Sequence, residues 1–144
     1  MANYTTYANG APIAPGVEVK TGGPGAPAIV FYTNTFDASL RNITTSDTAD
    51  ILNLPAGGLV QGFTYQILTA DAGGGTIGLG EGASTGIYVA AGTAISATTQ
   101  PTAGNGSATY PRSMGSSDKT VRMSVATATV TTLKLRVTAQ VLMA

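Results

Sequence analysis

The alternation of apolar and polar positions is clearest near the C-terminal end. Val121, Met123 and Val125 alternate with Thr120, Arg122 and Ser124, and after a turn near Thr129 to Thr131 a second run sets Leu133, Leu135, Val137, Ala139 and Val141 against Thr132, Lys134, Arg136, Thr138 and Gln140. A period of two sends successive side chains to opposite faces, so both runs predict strands with one face in a core. They read as adjacent antiparallel partners, and Val141 ties the C-terminal end into a sheet.

Upstream the pattern is shorter and more broken. Ala28 to Thr33 is an apolar run, after which Phe36, Ala38, Leu40 and Asn42 alternate with Asp37, Ser39 and Arg41. Asp50 to Leu54 predicts a strand that stops at the turn Pro55-Ala56-Gly57-Gly58. In the long strand Leu59 to Thr69, the residues Leu59, Phe63, Tyr65 and Ile67 share a parity that Gln61 breaks, and Gly62 marks a bulge or a close contact. Gly73-Gly74-Gly75 separates this strand from Thr76 to Gly80, the stretch Gly82 to Gly86 turns the chain, and Ile87, Val89 and Ala91 alternate with Tyr88 and Ala90. Gly92 to Ser117, with Pro101, Gly104, Gly106 and Pro111, reads as a long surface excursion.

No segment carries a helical period long enough for three turns. Seven to nine short strands are expected, and they imply an all-β fold, an antiparallel β-sandwich or jelly roll, or else a closed barrel; the sandwich is the preferred reading. Residues 1–27 differ in texture, because Ala11-Pro12, Ala14-Pro15-Gly16 and Gly22 to Pro27 leave only short extended pieces such as Val17-Glu18-Val19. They are read as an extended Pro/Gly-rich N-terminal arm attached to a β-sandwich domain over 28–144, either a frayed terminus or a segment that orders against a neighbouring subunit.

Composition narrows the function classes. At 144 residues one domain can bury roughly 70% of the surface of its unfolded chain. Seven Lys plus Arg balance seven Asp plus Glu, with no basic run and no aromatics interleaved with cations, which argues against a nucleic-acid partner. Neither an apolar run of the ~20 residues a membrane helix needs nor a leader-like N-terminus is present, so a soluble protein made in a cytoplasm is expected, with no membrane partner. With 43% hydrophobic residues the chain is not composed like a disordered one, and its 23 Thr suit pleated, half-buried strands. Charged residues make up only 10%, a surface more easily understood if an assembly covers much of it.

The absence of Cys and His removes thiolate nucleophiles, imidazole bases and the commonest zinc ligands. Ser116-Ser117-Asp118-Lys119 spells S-x-x-K, but it lies in a Gly/Ser-rich turn before a strand rather than on a helix that would aim Lys119 at Ser116. Glycines 73 to 82 give no G-x-G-x-x-G and no following G-K-[ST]. Asp47 and Asp50 are the only carboxylates close in sequence, and they lack the alternating oxygens of a calcium loop, so turn hydrogen bonds are the expected use. No catalytic residue, metal ligand or cofactor is assigned. Six tyrosines offer stacking faces for sugars, although core packing is the expected role of Tyr65 and Tyr88.

Asp50-Ile51-Leu52-Asn53-Leu54-Pro55-Ala56-Gly57-Gly58-Leu59-Val60, then Tyr65 to Ala70, then Ile77-Gly78-Leu79-Gly80-Glu81-Gly82, and finally Thr131 to Val141, resemble in order and spacing the small decoration proteins of tailed-phage heads. The resemblance covers residues 48–143. It implies a non-enzymatic capsid decoration or cement protein of β-sandwich type, a homotrimer bound to the major capsid protein on the outer surface of the virion. The arm (Ile13 to Val19) and the Gly92 to Pro111 excursion are the expected contact elements, with Ile13, Val17, Val19, Tyr110 and Arg112 as partner-contact residues. A carbohydrate-binding or receptor-binding head fibre is the second reading, a tail or filament subunit the third and an enzyme the last.

Overall fold

The computed structural model describes residues 3–5, 17–20 and 28–143. Eleven strands are present among them: β1 (Asn3–Thr5), β2 (Val17–Lys20), β3 (Ala28–Asp37), β4 (Thr48–Leu54), β5 (Leu59–Thr69), β6 (Thr76–Glu81), β7 (Ser84–Ala94), β8 (Thr102–Ala103), β9 (Arg112–Ser113), β10 (Lys119–Ala126) and β11 (Lys134–Met143). One sheet has the order β1-β4-β10-β6-β7; the other has the order β2-β3-β11-β5-β8, with β9 also on β5. The sheets pack face to face around a single apolar cluster drawn from both. No helix occurs among the described residues.

If β8 and β9 are counted as two halves of one edge strand, the pairing is nested. β3 pairs with β11, β4 with β10, β5 with β8 and β9, and β6 with β7, all antiparallel. This is a long hairpin wrapped into two sheets, the order of a jelly roll. The described arm pieces extend both sheets at their edges, β1 running parallel to β4 and β2 antiparallel to β3.

The wrapping corrects one expectation directly. β10 and β11 are not neighbours: β10 lies between β4 and β6, and β11 lies between β3 and β5 in the opposite sheet. Each does bury one face, with Val121 and Met123 on β10 and Leu135, Val137, Ala139 and Val141 on β11 fully buried. Alternation says only that one face is covered, and here the two covered faces look at each other across the core. The corner between them is closed by Ile43 and Val130, whose backbone groups bond reciprocally at 3.0 and 2.8 Å.

That corner is fastened by Asp71, 1% exposed at the end of the β5 strand. Its carboxylate accepts from the backbone amides of Thr131 (2.7 Å), Thr132 (2.9 Å) and Gly73 (2.9 Å). A second buried polar residue joins the sheets: Asn34 on β3 donates its Nδ2 to the Ile51 carbonyl of β4 at 2.9 Å. A polar residue at a core position is tolerable because these bonds satisfy it.

Other expectations shift locally. β3 ends at Asp37 and the chain turns through Ala38 to Leu40, leaving Leu40 63% exposed, because Ser39 bonds back to Asp37 through both its amide (2.9 Å) and its hydroxyl (2.6 Å). On β5 the register slips between Gln140 and Val141 of the partner strand, so Gln61 is the extra residue of a bulge. The bulge turns Val60 inward while Phe63, Tyr65 and Ile67 keep the inner face, which explains the broken parity. Asp47 serves its turn, accepting from the Thr44 hydroxyl at 2.9 Å, as expected.

Candidate partner-contact surface

The segment after β7 was expected to run over the surface, yet it is partly core. Ile95 and Met114 at its two ends are buried, and between them the chain lies along the open edge of β5. An edge strand carries unpaired amides and carbonyls, and covering them is the usual way a sheet avoids unwanted partners. Here Thr99 bonds Ile67 in both directions at 3.0 Å, Gly104 N donates to Phe63 O at 2.8 Å, and Met114 N donates to Gly58 O at 2.9 Å.

The same segment also reaches the other sheet. Gly106 N, Ser107 N and Ala108 N donate to the carbonyls of Tyr88 (3.1 Å), Gly86 (2.9 Å) and Ile87 (2.8 Å) on β7, and Asn105 Oδ1 accepts from Ala90 N at 2.9 Å. Side chains could not come this close: a Cβ on Gly104 would collide with the Tyr88 carbonyl, and one on Gly106 with those of Ile87 and Gly86. The excursion is therefore a seam that closes one side of the sandwich.

A charged cluster sits behind the seam. Arg112 on β9 donates to both carboxylate oxygens of Glu81, from Nη2 at 2.9 Å and Nε at 3.2 Å, and the Tyr88 hydroxyl donates to Glu81 Oε2 at 2.5 Å. Tyr88 is fully buried and stacks on Phe63 of the opposite sheet, ring centroids 4.8 Å apart. Burial pushes the Glu81 carboxyl up, but the bonds from Arg112 and Tyr88 outweigh it and hold the group below the usual carboxylate value. Burial and the Glu81 charge push the Tyr88 phenol far up, so it remains a donor. The bond to Glu81 likewise raises the Arg112 guanidinium. The cluster holds no nucleophile beside a base; what it does is pin β9 to the β6–β7 hairpin. Nothing in the sequence pointed to it, since Glu81 and Arg112 lie 31 positions apart.

The residues singled out as contacts fall in different places. Tyr110, preceding a cis peptide bond to Pro111, is 36% exposed. Arg112, partly exposed, pairs its guanidinium with Glu81 of the same chain. Val17 and Val19 lie on β2, opposite Phe31 and Ile29 of β3, and Ile13 lies outside the described residues. The S-x-x-K stretch is a strand approach: Asp118 accepts from the Ala56 amide at 2.8 Å and Lys119 opens β10. No group of three or more acidic side chains gathers at a metal-binding spacing among the described residues.

No family model and no curated protein matches the sequence. Among solved structures, the chain is similar to one described as the cyanophage Pam1 capsid asymmetric unit, with 24% identity and a TM-score of 0.52, over 96% of this chain and 98% of that one. At that identity the similarity bears on the fold, which the two chains share from end to end.

Proposed function

We propose that this protein is a non-enzymatic structural component of a bacteriophage particle, a decoration or cement protein that binds the major capsid protein on the outer surface of the head and stiffens the shell. A jelly roll hosts many unrelated functions, so the fold name alone argues little. The observation that carries the reading is that the shared fold spans nearly the whole of both this chain and the capsid chain. The similarity of residues 48–143 to head decoration proteins points the same way, as does a surface low in charge and rich in hydroxyls.

In this reading the protein acts as a homotrimer, made in the host cytoplasm and residing on the virion. The seam of residues 95–118, held to both sheets by backbone bonds, offers a rigid face, and a rigid face loses little entropy on binding a shell. The test is sedimentation of the purified protein with undecorated phage heads, alongside light scattering of the protein alone. Co-sedimentation that saturates at a stoichiometry set by the lattice is expected, with a trimer mass in solution. A protein that stays in the supernatant at all concentrations would refute a decoration role.

A further inference from the structure

We propose a second binding site, bordering the seam: the groove between Phe31 and Tyr110 on the outer face of the six-stranded sheet binds a neutral carbohydrate. The strand register builds it. Phe31, Gln140 and Gly62 form one cross-strand row over β3, β11 and β5, and Thr138, Thr64 and Ala103 form the next, over β11, β5 and β8. Tyr110 and Gly104 close the side nearest the seam, and the groove encloses about 290 Å³. That is at the small end of ligand pockets, a size suited to one or two sugar rings.

The floor is open because of Gly62. A Cβ there would meet nothing within 4 Å, so neither packing nor backbone conformation requires glycine, and the missing side chain is what leaves room beneath the two rings. Of the hydroxyls lining the groove, that of Thr138 is paired with the Thr33 hydroxyl at 3.1 Å. In the groove the Gln140 amide, the Thr64 hydroxyl and the Tyr110 hydroxyl have no hydrogen-bond partner among the described residues.

The chemistry of the lining selects the ligand class. Among the described residues no charged side chain lines the groove, which leaves none of them to neutralise a phosphate, a carboxylate or an ammonium group. A purely apolar occupant would cover the free amide and hydroxyls without satisfying them. A pyranose matches both halves of the lining: its C–H face stacks on an aromatic ring, and its hydroxyls donate to and accept from Gln140, Thr64 and the phenol.

Saturation-transfer NMR on the full chain, with neutral mono- and disaccharides of glucose, galactose, mannose and N-acetylglucosamine, tests this. Transfer to the ring protons of at least one sugar is expected, and both Tyr110→Ala and Gly62→Val should weaken it by about tenfold or more. Gly62→Val fills open space and should leave the thermal midpoint unchanged, which separates loss of the site from loss of the fold. The proposal is overturned if no neutral sugar shows transfer, if only acidic sugars do, or if a folded Gly62→Val binds as well as wild type. Head binding by Gly62→Val reports on the decoration role separately: loss of head binding without any sugar binding would make the groove a protein contact and sink the carbohydrate reading.

Discussion

β11 and β7 are nearly equal in length, at 10 and 11 residues, and they could hardly be built more differently. β11 pairs with β3 without interruption from Lys134 opposite Asp37 to Met143 opposite Ala28, and every second side chain enters the core. β7 meets β6 at four positions with two shifts of register, and both Tyr88 and Val89, adjacent in sequence, are buried. The difference lies in the facing strand. β6 presents Gly78 and Gly80, and without a Cβ there residues 84–91 crowd onto it: a Cβ on Gly80 would overlap the Ser84 carbonyl, and one on Gly78 the Thr85 carbonyl. That fold-over turns the Tyr88 ring onto Phe63 and its hydroxyl onto Glu81. The regular β3–β11 ladder comes from unbroken alternation on β11, whose other ladder, to β5, shifts register twice, whereas the irregular hairpin comes from what its partner lacks.

Five substitutions probe that contrast. Gly80→Val should be the most damaging, costing about 4 kcal/mol in urea unfolding because the backbone of β7 must move away from a solid neighbour. A result as mild as that of Gly62→Val would refute the close approach. Leu135→Ala, which removes a fully buried side chain from the regular ladder, should cost about 3 kcal/mol with the pairing of β11 intact. Asp71→Ala strips the acceptor from three backbone amides at the corner and should cost about 2 kcal/mol, with hydrogen exchange accelerated first at Thr131 and Thr132.

Glu81→Gln should cost only about 1 kcal/mol near neutral pH, since Arg112 is partly exposed and solvent screens the pair. Its pH dependence is the sharper readout. Burial pushes both Glu81 and Asp71 up, but hydrogen bonds outweigh it and hold each below the ordinary values of 4.5 and 3.8. A depressed folded value means that the contribution is complete above the ordinary value and is lost as the pH falls through the folded one. Wild type should lose stability between about pH 5 and pH 2, and Glu81→Gln should show a shallower loss over that window. The smallest effect is expected at Thr127, which holds a positive φ of 76° in the corner before β11. Thr127→Gly should gain about 0.5 kcal/mol by relieving that conformation, net of glycine's greater chain entropy.

The positions of strands were legible wherever alternation met a clear stop. β5 was bounded correctly at both ends, and the stop at Pro55 to Gly58 fell where β4 ends. Leu40 and Ala91 were misread because a parity rule continues past a turn or a bulge unless some local bond announces it, and the Asp37–Ser39 bonds are too common a feature to do so. Gly62 was singled out as unusual, yet its consequence needed the neighbouring strands: Phe31 and Gln140 face the same hollow only because β3 and β11 bring them into its row.

By itself, the sequence determined the all-β class, most strand positions, which face of β10 and of β11 is buried, and the absence of His and Cys chemistry, since these follow from local periodicity and residue type. Only the tertiary structure decided that β10 and β11 belong to opposite sheets, that the long excursion seals an edge, and that Glu81, Tyr88 and Arg112 meet. Those outcomes depend on contacts between residues far apart in the chain, and a buried face does not state which surface will bury it.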